Sequence, residues 1–248
     1  MNFSYDRVWA DVVAMVRANF GVLLAITGVF LFLPSFAMWM FAPLPQPDGD
    51  SGDAVKLLTD YYLTNWLWFL VLTVVSAFGQ AAILVLLLDR ARPTVGEALT
   101  TAAGVLALFV LMEMLVNLVL AFGFLAFIVP GIYLMGRLTI VPATMIAEGV
   151  TNPLAAIQRG FAYTGGLGWR IAGLVLLVAI VGWIALAAAS SVIGVIGGLL
   201  LPDSLKPIAA AFGDALGGAG LGLLLALLGA AIYRQLRGQH EPLQDIFS

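Results

Sequence analysis

Residues 18–47, 61–88 and 171–202 contain no Asp, Glu, Lys or Arg. A helix of ~20 apolar residues crosses the hydrocarbon core of a bilayer, and each run is longer than that. Inside lipid no water is available to the backbone, so a spanning segment must satisfy its own amides, which a helix does. The runs therefore predict an all-α fold, a polytopic transmembrane helical bundle. Composition agrees: 62% of residues are hydrophobic and 10% charged, against about 25% charged in a soluble domain. The 248 residues suit a single integral membrane domain over 1–248, with no second, soluble domain expected within them.

Six spans are expected, at about 20–41, 64–88, 99–125, 131–147, 168–192 and 207–233. The first run is expected to be a retained span and not a cleavable leader. Asp6 and Asp11 sit among the early residues, and no small-residue cleavage site follows. Basic residues set the orientation. Arg7, Arg17, Arg90, Arg92, Arg159, Arg170, Arg234 and Arg237 fall on one side, and only Lys56 and Lys206 on the other. Both termini are thus expected in the cytoplasm. The outer loop 43–60 is acidic, with Asp48, Asp50, Asp53 and Asp60. Trp39, Trp66 and Trp68 fit an outer aromatic belt, and Trp9 and Trp169 an inner one.

Short amphipathic interfacial helices are expected before three of the spans, on the cytoplasmic face. The first covers 4–19, with Val8, Trp9, Val12 and Val16 on one face and Arg7 and Asp11 paired on the other. The second opens at Pro93, where Thr94 and Glu97 have capping-box spacing. The third opens at Thr151-Asn152-Pro153, a polar cap followed by proline at the first helical position. Leu154, Ile157 and Phe161 would line its apolar face, opposite Gln158 and Arg159. The chain is then either three copies of one interfacial helix with two spans, or a bundle whose inner loops are independently amphipathic.

An ionisable group inside a span costs ~2.5–3.5 kcal/mol on insertion scales, so each one needs a reason. Glu113 lies near the middle of span three, with Asn117 one turn on. Arg137 lies in span four and Gln80 in span two. Glu113 and Arg137, on consecutive spans, are expected either to meet as an internal ion pair or to belong to a polar pathway. At the cytoplasmic edge, Glu148 and Arg159 suggest an interfacial ion pair, while Arg159 and Arg170 together suggest a site for a lipid headgroup phosphate.

Enzyme signatures are lacking. There is no cysteine, and the one histidine, His240, is in the polar tail, so no metal site and no cofactor is expected. No H-E-x-x-H, G-x-S-x-G or P-loop occurs. The run 48–53 resembles part of a calcium loop but lacks the terminal glutamate. Net charge is −3, which does not indicate a nucleic-acid partner. Membrane lipids are the expected partners. Gly213/Gly217 and Gly218/Gly222 have the spacing that lets helices approach closely, either within one bundle or across a homo-oligomer formed by the glycine-rich helices.

The stretch Pro130-Gly131-Ile132-Tyr133-Leu134, Arg137-Leu138, Pro142, Glu148, Pro153, Ala156, Arg159, Thr164-Gly165 and Trp169-Arg170 resembles the signature of a group of bacterial multi-pass proteins. These are the YciC-like inner-membrane proteins and the membrane domain found beside some glycerophosphodiester phosphodiesterases. The specific match covers about 40 residues. One departure is that the family commonly has Arg-Ser where this chain has Arg159-Gly160. The resemblance implies a bacterial inner-membrane protein with no catalytic site of its own and a role in envelope or lipid homeostasis. It draws attention to Arg137, Glu148, Arg159 and Arg170 without giving them an activity. Two functions are therefore expected in turn. One is a non-catalytic scaffold or lipid-interacting protein. The other is a transporter or flippase-like carrier using Gln80, Glu113, Asn117 and Arg137 as a midplane site.

Overall fold

The computed structural model of the chain describes residues 3–43, 45, 54–89, 91 and 93–244, with the backbone alone at 54 and 239–244. Arg90, Arg92, the acidic run 48–53 and the side chain of His240 lie outside the described residues. The structure is 89% helical and, among the described residues, has no strand. Six helices are long and apolar enough to cross a membrane: Tyr5–Phe41, Trp66–Leu88, Val95–Ala126, Ile128–Ala147, Gly168–Leu200 and Asp203–Gly238. The most apolar window, in the fifth of these, is only 22% buried within the bundle. Leu177, Trp183, Val192 and Leu199 point outward from it. A surface so continuously apolar suits acyl chains and not water.

The first crossing is built of α1 (Tyr5–Thr27), a π-helical stretch (Gly28–Phe32) and α2 (Leu33–Phe41). Asn19 interrupts α1 with φ −128° and ψ 18°, and its side-chain amide donates to the Met15 carbonyl at 3.1 Å. An amide that caps its own preceding turn bends a helix without exposing the carbonyl. The bend separates the amphipathic N-terminal turns from the span. The second short amphipathic element does not exist as a separate helix. The Thr94–Glu97 capping box forms, with Thr94 N–H donating to Glu97 Oε2 at 2.7 Å. Helix α5 then runs unbroken from Val95 to Ala126, because nothing between Ala98 and the span interrupts the hydrogen-bond ladder. The third element is separate: α8 (Pro153–Tyr163), capped by Asn152 as its spacing requires. A helix that the pattern did not anticipate, α3 (Ala54–Thr64), occupies the end of the acidic loop. Tyr61 pins it by donating from its hydroxyl to the Ala42 carbonyl at 2.6 Å. It leads into α4 (Trp66–Leu88).

The fourth crossing departs from the expected single helix over 131–147. It begins directly after Phe127, a one-residue extended link (φ −167°, ψ 157°). It is split into α6 (Ile128–Leu138) and α7 (Val141–Ala147). Pro130 and Gly131 are therefore inside the first turn of α6 and are not the reversal. The split has a local cause. Pro142 has no N–H to give the Leu138 carbonyl, and its ring disfavours helical geometry before it. Helix α9 (Gly168–Leu200) and α10 (Lys206–Gln244), joined by a 3-10 turn at Asp203–Leu205, complete the bundle.

Helix α10 is central, packing on α1, α2, α4, α7 and α9. The core around it includes Phe109, Met112, Ile140, Leu228, Ile232 and Tyr233. Small residues bring backbones together, as expected where lipid supplies no hydrophobic drive between helices. A Cβ on Gly136 would lie 2.5 Å from the Ala172 amide nitrogen, so α6 and α9 cross almost backbone on backbone. Gly213 and Gly217 face Ser190 of α9, which places their stripe within the bundle, whereas Gly218 has open space above it.

The arginine-bearing segments meet at one end. The Gln235 amide donates to the Ser4 carbonyl at 3.3 Å, the Arg170 guanidinium lies 5.9 Å over the Tyr5 ring, and Tyr233 reaches Glu148.

Candidate functional site

The split in the fourth crossing opens onto a cavity of about 240 Å³. Met135, Leu138, Thr139 and Pro142 face it, at the i, i+3, i+4 and i+7 positions of one helical face. Gln80 from α4, Glu113 and Asn117 from α5, and Gly229 from α10 close it. Gly229 has no side chain to fill the space, and a Cβ there would stand 2.8 Å from the Thr139 carbonyl. Thr139 uses its hydroxyl on the Met135 carbonyl at 2.6 Å. Asn117 donates to the Glu113 carbonyl at 2.9 Å. Among the described residues, no hydrogen bond or ion pair engages the Glu113 carboxylate or the Gln80 amide. Counting 1.5 Å per residue, Glu113 lies ~21 Å along α5 from the Phe127 link, well inside the apolar layer.

Three of the four intramembrane candidates, Gln80, Glu113 and Asn117, therefore line one cavity, and Arg137 does not join them. The expected Glu113–Arg137 pair does not form. Arg137 lies ~15 Å along α6 from the same link, so depth alone does not prevent it. Direction does: Arg137 projects away from the face that carries Leu138 and Thr139. Its Nε donates to Thr164 Oγ1 at 2.7 Å, Nη1 to the Tyr133 hydroxyl at 2.6 Å and Nη2 to the Phe161 carbonyl at 2.5 Å. Its Cζ also stands 4.7 Å over the Phe161 ring. An arginine with each nitrogen engaged and aromatic faces beside it is desolvated at low cost.

A second cluster forms where α7 ends. Glu148 Oε2 pairs with Arg159 Nη1 at 2.6 Å. Its Oε1 accepts from the Tyr163 hydroxyl at 2.6 Å and the Tyr233 hydroxyl at 3.1 Å. Burial alone would raise this carboxyl. The donors Tyr163, Arg159 and Tyr233 together outweigh it and hold the group below the usual glutamate value. Burial first, and then the Glu148 charge, push the Tyr163 hydroxyl up to about 12, so it remains a donor at neutral pH. The interfacial Glu148–Arg159 pair is therefore present, and it occupies Arg159. Arg170 lies over the Tyr5 ring.

Both clusters hold α8. Of the expected apolar face of α8, Ile157 and Phe161 pack half-buried against the core and Leu154 does not; the fully buried residues are others. They are Pro153, Ala156 and Gly160, while Leu154 is 58% exposed. A Cβ on Gly160 would come 2.6 Å from Val141 Cγ2, which accounts for glycine beside Arg159. Sequence reasoning missed Thr164, Tyr133, Tyr163 and Tyr233 as polar partners. The i, i+4 spacings of Tyr133 with Arg137 and Arg159 with Tyr163 were available signals; nothing local pointed to Tyr233.

Among the described residues no cluster of His, Cys, Asp and Glu is placed to hold a metal ion. Comparison with known proteins finds no matching family model, no matching curated protein and no matching solved structure.

Proposed function

We propose that this chain is a non-enzymatic, multi-pass carrier that takes a small amphipathic solute at the Glu113 cavity and passes it across a bacterial inner membrane, with both termini in the cytoplasm. The observation that carries this reading is the unengaged Glu113 carboxylate facing a cavity at a broken span, with Gln80 and Asn117 beside it. Interrupted helices at membrane depth supply polar backbone where a solute binds. A carboxylate with no protein cation within reach suits a solute carrying a positive charge. The likeness to the YciC-like group supports the placement in the inner membrane. A second reading, a static scaffold, draws on the two arginine clusters that fasten α8.

The cysteine-free chain allows a direct test. Asn117→Cys in proteoliposomes is treated with a small trimethylammonium methanethiosulfonate and, separately, with an uncharged maleimide. The carrier reading expects the cationic reagent to react from the aqueous phase, and Glu113→Gln to slow it while leaving the maleimide rate unchanged. No reaction with either reagent from either side overturns the carrier and favours the scaffold.

A further inference from the structure

A second cavity is larger than the one at Glu113. It holds about 800 Å³ and lies at the arginine-bearing end, between the bend of α1, the end of α4 and the end of α10. Known ligand sites span roughly 300–1,000 Å³, so this one is of binding-site size. Its walls divide by chemistry. Apolar side chains, Met15 and Leu87 among them, face it together with the polar Asn19, Arg234 and Arg237. The Asn19 bend sets the first wall back from α10. Arg234 is exposed and, among the described residues, makes no ion pair. Arg237, one turn on, is half-buried and lies 3.5 Å from the Tyr233 hydroxyl. Asp89, the one carboxylate among the described lining residues, accepts from the Ala91 N–H at 2.9 Å.

We infer that this cavity is a binding site for an anionic phospholipid, with the phosphate on Arg234 and Arg237 and the acyl chains along Met15 and Leu87. Two guanidinium groups one helical turn apart suit a phosphate, which arginine binds through paired N–H donors. The apolar half of the lining requires that the phosphate come attached to a hydrocarbon, and the position at the end of the spans puts it at headgroup depth. The site is separate from the Glu113 cavity and shares no lining residue with it. It stands whether or not the chain is a carrier.

The test uses the full chain in uncharged detergent, with melting followed as dioleoyl phosphatidylglycerol, dioleoyl phosphatidylcholine or sodium phosphate is added. Phosphatidylglycerol is expected to raise the melting temperature at concentrations where phosphatidylcholine does not. Arg234→Gln is expected to weaken that response several-fold, and Arg234→Gln with Arg237→Gln about tenfold or more. Arg7→Gln with Arg17→Gln removes the same charge from the same end and is expected to leave the response intact. Because Arg237 neighbours the Glu148 cluster, the exposed Arg234 single variant carries the test if the double variant does not fold. Equal stabilisation by both lipids overturns the inference, as does an unchanged response in Arg234→Gln. Stabilisation by inorganic phosphate at the same concentration as the lipid assigns the site to free phosphate and overturns the lipid assignment.

Discussion

If Arg137 belongs to α8 and not to Glu113, the two candidate partners must differ in energetic coupling. Arg137→Met removes three hydrogen bonds, strands the Tyr133 hydroxyl and leaves the Phe161 carbonyl only its long 3.4 Å bond from Thr164. Stranding such groups costs on the order of 3 kcal/mol. Thr164→Val removes the acceptor for Nε and also the hydroxyl's own bond to the Gly160 carbonyl. Residues sharing a bond show coupling energies of roughly 0.5–3 kcal/mol, and distant ones add within about 0.5 kcal/mol. The Arg137→Met/Thr164→Val cycle is therefore expected to give about 1 kcal/mol or more of coupling. The Arg137→Met/Glu113→Gln cycle is expected to be additive within about 0.5 kcal/mol. Unfolding of the three single variants, the two double variants and the parent in mixed micelles of increasing dodecyl sulfate content measures both. Coupling between 113 and 137 larger than between 137 and 164 refutes the assignment.

Other consequences follow from the same geometry. Gly136→Val places a branched side chain against the Ala172 backbone and is expected to cost roughly 1–3 kcal/mol, seen as a lower melting temperature in detergent. Gly160→Ala meets a β-branched methyl and not backbone; it should destabilise in the same direction by less, checked in the same assay. The Glu148 carboxyl is held below its unfolded value, so its contribution is present above about pH 4.3 and lost as pH falls through the folded value. A melting series from pH 7 to pH 3 should show that loss in the parent and a flatter profile in Glu148→Gln. Tyr163→Phe removes one of the donors and should shift the same loss toward higher pH.

The six crossings were legible because lipid imposes one rule on a span, and 18–47, 61–88 and 171–202 obey it without exception. The cap at Thr94 and the proline start of α8 were equally local, each needing only residues within one turn. Misreadings came where a decision is made across helices. Leu154 shares the apolar face of α8 with Ile157 and Phe161, yet it alone of the three is exposed. The bundle instead turns Ala156 and Gly160 inward, because close approach to α7 counts for more than transfer of a leucine that lipid solvates equally well. Arg137 and Glu113 looked like a pair because only they were charged in their spans. The real partners of Arg137 are a hydroxyl, a phenol and a carbonyl, groups that carry no charge and so stand out in no composition profile. The cavity was visible only as three polar residues on two spans; the break that opens it depends on Pro142, which was noticed for its place in a family pattern and not for the N–H it lacks.

The fourth crossing is two short rods, of 11 and 7 residues, neither able to traverse a bilayer alone. Arg137 is fixed to the upper rod and Glu148 follows the lower, yet both grip the same amphipathic helix a few residues apart, at Phe161–Thr164 and at Arg159–Tyr163. That helix is a splint across the joint. A change of angle between the rods would have to strain or release one of its two fastenings, so the hydrogen bonds of α8 hold the joint beside Thr139 at a fixed angle.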